Sequence, residues 1–297
     1  EKEGFPTKKD EEWKYTSLKS VLNHDYSVFP KEESDIEFKD VKKYFLHEIE
    51  SYKVVFVDGI YSSYLSETTH DGFDICLMSS VLKKPQYQLV LDNYFNKIAQ
   101  NNNSLTDLNT AFTIEGAYIH IGKNKILPKP IQIVNFYTGG EKDILLQPRN
   151  LIIVGENSHV EIIERHQSLS NNTVLTNAVT EVFAGKRAIV DYYKIQNDRE
   201  NASLIDSTFV QQKESSIASV NTFSFGGKLT RNNVEFFHEG ERIESHINGI
   251  SILDKKQHVD NHTLMHHKSP NCESFELYKG IYDDASTGVF NGKVIVN

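Results

Sequence analysis

Residues 145–154 read LLQPRNLIIV, 173–182 TVLTNAVTEV, 202–211 ASLIDSTFVQ, 230–239 TRNNVEFFHE, 258–267 HVDNHTLMHH and 286–295 STGVFNGKVI. These segments start about 28 residues apart, and a fixed period of that length is the mark of a repeat architecture. A second register interleaves with the first: PIQIVNFYTG from Pro130, SHVEIIERHQ from Ser158, RAIVDYYKIQ from Arg187, SSIASVNTFS from Ser215 and ERIESHINGI from Glu241. Each repeat therefore carries two short β-rich segments, separated by turn residues such as Gly155-Glu156-Asn157, Gly185-Lys186 and Gly226-Gly227.

Two strands per repeat at constant spacing predict a parallel β-solenoid, each coil lying on the next about 4.8 Å away. One coil cannot bury its inward side chains, whereas a stack can. The expected core includes Ile162, Ile189, Ile217 and Ile243. A sandwich would show hairpin spacings of roughly 8–12 residues. A left-handed hexapeptide solenoid would show a six-residue hydrophobic period, and none is present.

The chain has 297 residues, a net charge of −9 and no Lys/Arg stripe, which argues against a nucleic-acid partner. Its two cysteines, Cys76 and Cys272, are far apart, so a disulfide scaffold is not expected and a reducing cytoplasm is. Apolar runs such as KVVFV and NLIIV fall well short of the ~20 residues that span a bilayer, so no membrane association is expected.

Residues 1–105 lack the repeat and read as a mixed α/β domain; residues 106–297 form the solenoid, with the Asn101–Asn103 run as boundary. SDIEFKDVKKYFLHEIES (34–51) predicts an amphipathic helix: Ser34 and Glu37 match a capping box, and Phe38, Val41, Phe45 and Ile49 recur at three or four. DEEWKYTSLKSVLNH (10–24) and PQYQLVLDNYFNKIAQ (85–100) are further helical candidates. KVVFVDGIYSSYL (53–65) predicts two strands around Asp58-Gly59.

The segments GFPTKKDEEWKYTSL (4–18), LNTAFTIEGAYIHIGKNKILPKPIQI (108–133) and HHKSPNCESFELYKGIYDDASTGVFNGKVIV (266–296) carry a resemblance. Glu12-Trp13-Lys14-Tyr15-Thr16 together with Val289-Phe290-Asn291-Gly292 is its most specific part. The chain resembles the SufB/SufD family of iron–sulfur cluster assembly proteins, on the SufD side. The resemblance implies a right-handed parallel β-helix between an N-terminal mixed domain and a C-terminal helical domain, the latter expected to be missing after Asn297. It implies a non-enzymatic scaffold subunit that pairs with SufB through the β-helix and binds the ATPase SufC through that C-terminal region. No cofactor is expected on this chain alone; an iron–sulfur cluster is expected at the interface with SufB.

An uncovered solenoid end exposes unpaired backbone groups, so Val289, Phe290, Asn291, Val294 and Val296 are the expected partner interface, with homodimerisation through the same end a second expectation. The densest ligand set is His258, His262, His266, His267 and Cys272, residue types that suit zinc or iron–sulfur species. On a strand, positions 258, 262 and 266 are spaced about 13 Å apart, too far to share one ion. The expectation is therefore no metal site, with Cys272, His262 and His266 the only candidates. Cys76 and Cys272 are expected as small core residues. Glu161, Glu164 and Asp191 would suit the alternative, a carbohydrate-active β-helix lyase or hydrolase, but are expected on a solvated face. Gly226-Gly227 is expected as a coil corner and Trp13 as an anchor of its own domain.

Overall fold

A computed structural model describes residues 4–28, 36–46, 48–68, 73–100, 103–139 and 142–296. Two sheets run side by side along the stack, one of eight strands and one of nine. From His159 onward every strand pairs in parallel with the strand one coil away, giving a solenoid of about six turns. The core lies between the sheets. Its rows are set by register: Val160 stacks on Val190, Ala218 and Ser245, and Ile162 on Tyr192, Val220 and Ile247. Removing a fully buried aliphatic or aromatic side chain from water contributes about 1.5–3 kcal/mol, and stacking repeats that gain on every rung.

Two of the four expected core isoleucines are placed otherwise. Ile162 and Ile243 are buried, but Ile189 is half-exposed and Ile217 is 37% exposed. Both stand in the outward row His159, Ile189, Ile217, Glu244. Side chains alternate faces along a strand, so aligning Ile162 with Ile189 instead of Tyr192 turns the assignment inside out.

Corners form where one residue per coil takes a left-handed conformation: Asn157, Arg187, Ser215 and Arg242 have φ of 57°, 55°, 59° and 56°. Gly116 is required for a different reason. A Cβ there would lie 1.9 Å from the Arg149 carbonyl oxygen.

Strands preceding residue 105 also enter the sheets. Tyr52–Val57 pairs in parallel with Ile131–Tyr137, and Asp74–Leu77 antiparallel with Ala117–Ile121. The hairpin at Asp58-Gly59 is present, both residues at positive φ and Phe56 opposite Tyr61. The helix expected over 34–51 is shorter: one α turn, Phe38–Val41, runs into a 3-10 turn, Lys42–Tyr44. Val41 and Phe45 are buried, Phe45 edge-on to Phe136, while Phe38 and Ile49 stay exposed, so only a narrow stripe is covered. Ser34, and with it the capping box, lies outside the described residues. The 85–100 segment is helical only over Gln88–Tyr94, after a 3-10 turn. It stops because the amides of Asn96, Ile98 and Ala99 turn to the Glu181 carboxylate, at 2.7, 3.0 and 3.2 Å. Among the described residues, no helix is long and apolar enough to cross a membrane.

Candidate functional site

The solenoid interior is apolar at one end of each rung and polar at the other. The inward row that is apolar at Val54 and Ile133 turns polar at Glu164 and continues through Lys194 and Thr222 to Gly249. Lys194 Nζ donates to Asp206 Oδ1 and Thr208 Oγ1, both at 2.7 Å, and lies 3.2 Å from Glu164 Oε2. Glu164 also accepts from Tyr192 Oη at 2.5 Å and Asn150 Nδ2 at 3.0 Å, and His166 Nε2 stands 3.4 Å away. Burial works against the Glu164 charge, but Lys194 and His166 outweigh it and hold the carboxyl far below its usual range. Burial disfavours the charged Lys194 as well, and Asp206 and Glu164 reverse that, raising it. Burial wins at Asp206, whose carboxyl is pushed up. Such a cluster, closed from solvent and cross-linked by hydrogen bonds and ion pairs, ties four strands of the two sheets together and fixes their register.

Glu164 was expected on a solvated face and is instead wholly buried. Glu161 and Asp191 do face outward, Asp191 accepting from Ser219 at 2.8 Å and paired with His159 at 3.2 Å. Carboxylates on opposite faces of one sheet cannot flank a glycosidic bond.

Two buried Arg–carboxylate pairs clamp non-solenoid chain onto the outer face of the nine-stranded sheet. Arg149 Nη2 donates to Glu181 at 2.7 Å beneath the Phe95 ring. Arg231 Nη1 donates to Asp260 at 2.7 Å and to the Glu12 carbonyl at 2.8 Å, and its guanidinium carbon lies 3.8 Å from the Trp13 ring centroid. Trp13 packs with Leu18 and Val21 of its own segment but also with Leu175, Ile205 and Leu229 of the solenoid. It thus anchors one domain to the other, where its own domain alone was expected. Thr16 Oγ1 donates to Asp260, and His258 Nε2 lies 2.9 Å from the same hydroxyl. Burial opposes the Asp260 charge, yet His262, Arg231 and Thr16 together hold the carboxyl below its ordinary value.

The expected histidine strip lies on strand His258–His267, as its register required, and splits by face. His262 sits between Glu12 Oε2 at 3.0 Å and Asp260 Oδ1 at 2.8 Å. His266 stacks on Phe237, ring centroids 5.0 Å apart. Among the described residues, neither belongs to the ligand cluster that holds Cys272. Cys272 instead meets His238 and His267, all three ligand atoms within 4.8 Å. His238, fully buried, escaped the sequence reading because it is 29 positions from His267; the repeat register, which stacks the two directly, was the signal that could have found it. Burial and the neighbouring His267 ring push His238 down to about 4, so it is neutral at pH 7. Cys76, half-buried, lies apart, with its Sγ 3.4 Å from Tyr87 Oη.

The five expected interface residues lie on strand Thr287–Val296, at one end of the nine-stranded sheet. Phe290, Val294 and Val296 continue the inward rows, stacking on Asn261, Met265 and His267, and are 51%, 60% and 74% exposed. Val289 and Asn291 belong to the outward rows, opposite Asp260 and His262.

The chain matches two family models: the SufBD core domain of the SUF iron–sulfur cluster assembly system over residues 136–297, and the SufBD N-terminal region over residues 1–133. It is similar to an iron–sulfur cluster assembly SufBD family protein of Synechocystis sp., 27% identical over 98% of this chain and 66% of that protein. It is also similar to the iron–sulfur cluster assembly protein SufD of Escherichia coli, 24% identical over 99% of this chain and 66% of that one. A chloroplastic SufBD family protein of Arabidopsis thaliana is 27% identical over 82% of this chain and 46% of its own length. The chain thus spans just under two thirds of the first two relatives.

Proposed function

As the chain belongs to the SufBD family of iron–sulfur cluster assembly proteins, we propose that it serves there as a scaffold subunit of the SufD kind and not as a catalyst. It pairs with a SufB-type subunit through the β-helix, and an ATPase of the SufC type docks on a region beyond this chain. The nascent cluster is cargo held where the two β-helices meet, not a resident cofactor of this chain.

The observation that carries the reading is the joint one of family and architecture. The core family region falls on a stack whose interior is locked by the Glu164–Lys194–Asp206 cluster, and the N-terminal region is clamped onto it through Trp13 and Arg231, a rigid body suited to holding partners in fixed geometry. The contact with the homologous subunit is assigned to strand Thr287–Val296, where Phe290, Val294 and Val296 continue the inward rows and would set the register of a further parallel strand. Val289 and Asn291 flank that contact on the outer face.

Anaerobic reconstitution tests the reading. The full-length protein, its SufB-type partner, iron and sulfide should together yield a cluster absorbance and iron content that this protein alone does not reach. A cluster yield from the partner that is indifferent to this protein overturns it.

A further inference from the structure

At the corner where strands Leu229–His238 and His258–His267 end, hydrogen bonding fixes which ring edge a histidine offers. Gln212 Nε2 faces two backbone carbonyls, Glu244 at 3.0 Å and Ser216 at 3.3 Å, so the amide nitrogen points there and Oε1 points away. Ser245 Oγ lies 2.5 Å from that Oε1 and gives it its only proton. His238 Nε2, 2.7 Å from the same Oγ, must then be the donor between them. His238 Nδ1 is left with a bare lone pair.

That lone pair is aimed at His267 Nδ1, 3.3 Å away. On the far side of its ring, His267 Nε2 meets Ser274 Oγ at 3.1 Å. The turn that follows His267 brings in Cys272, whose Sγ now rests 3.2 Å from the Gly240 carbonyl. Two imidazoles at metal–nitrogen distances of about 2.0–2.1 Å in a tetrahedron hold their nitrogens roughly 3.3–3.4 Å apart. The two Nδ1 atoms are already at that spacing. Both far nitrogens are tied to hydroxyls, the outer support that orients metal-bound histidines.

We propose that His238 Nδ1, His267 Nδ1 and Cys272 Sγ bind one borderline divalent cation of the zinc, cobalt or ferrous class, the fourth position being open to an exogenous ligand. Two imidazoles and one thiolate select such ions over magnesium or calcium. Binding releases the thiol proton of Cys272 and leaves His267 protonated on Nε2, where it donates to Ser274 Oγ. His238 is buried while His267 and Cys272 are half-exposed, so the ion enters from the 268–272 turn. The site does not depend on the cluster-assembly role, and its test involves neither partner nor cluster.

The reduced chain is titrated with Co2+ and followed by absorbance. The expected result is saturation at one ion per chain, with tetrahedral ligand-field bands and a thiolate charge-transfer band, both erased by excess Zn2+. Cys272→Ser should abolish the charge-transfer band, and Cys76→Ser should leave it intact. Ser245→Ala, which frees the His238 tautomer without removing a ligand, should weaken binding about 10–100-fold. Circular dichroism of each apo variant separates lost binding from lost folding. A charge-transfer band that survives Cys272→Ser, or no saturable binding to the folded wild-type chain, overturns the site.

Discussion

The Trp13 ring covers Arg231, with the guanidinium carbon 3.8 Å from the ring centroid, and Arg231 is in turn paired with buried Asp260. One aromatic from the N-terminal segment thereby seals an ion pair that belongs to the solenoid. Cation–π attraction contributes more where the cation is desolvated, as here.

Trp13→Ala should destabilise the protein by about 3–5 kcal/mol, the usual cost of removing a large buried aromatic. Thermal denaturation measures the loss, and limited proteolysis should show new cleavage within residues 5–22. Arg231→Lys should recover little of what Arg231→Ala loses, because an ammonium cannot reproduce the stacked, forked contact.

The chain has a single tryptophan, so its fluorescence reports docking of the N-terminal segment directly. Asp260 has a folded pKa held below the ordinary 3.8, so its stabilisation is complete above that value and is lost as pH falls from there through the folded pKa. Acid titration should therefore shift Trp13 emission to the red below about pH 4. Asp260→Asn should abolish that acid step while leaving the remainder of the unfolding curve in place.

Lys194→Met leaves Glu164 and Asp206 buried without their cation and should cost about 3–5 kcal/mol. Replacing the whole cluster, with Glu164→Gln, Asp206→Asn and Lys194→Met together, should recover most of that loss in denaturant melts. Such recovery would assign the cluster to register and rigidity and leave it little part in net stability.

Gly249 occupies the rung above Thr222 so that the Tyr278 ring can fill the interior; a Cβ there would fall 2.1 Å from that ring. Gly249→Ala should cost about 1–3 kcal/mol as an overpacked core position. Pairing it with Tyr278→Leu should relieve the clash, which a double-mutant cycle would read as favourable coupling.

The architecture was legible because a parallel stack imposes one period on every row, and the rows through Ile162 and Ile243 kept it. Faces were harder. Ile189 and Ile217 sit one residue from their inward neighbours Val190 and Ala218, and a β-branched residue on either face looks the same in sequence. Corners hid for a related reason: Arg187, Ser215 and Arg242 adopt left-handed conformations where composition points to Gly or Asn. Glu164 looked solvated because alternating charged and apolar residues, a pattern that Lys194 shares, are the ordinary mark of a half-exposed strand. Only the second sheet, which supplies Asp206 and Asn150, makes their burial affordable. His238 and Cys272 meet across a coil and a turn, a proximity that no local motif encodes.

The most direct measurement is light scattering on size-exclusion fractions of the full-length protein mixed with its SufB-type partner, under anaerobic conditions. The expected result is a stable complex containing both chains, with the cluster absorbance in that same peak. Separate elution of two chains at concentrations well above micromolar, with the cluster following the partner alone, would contradict the scaffold role.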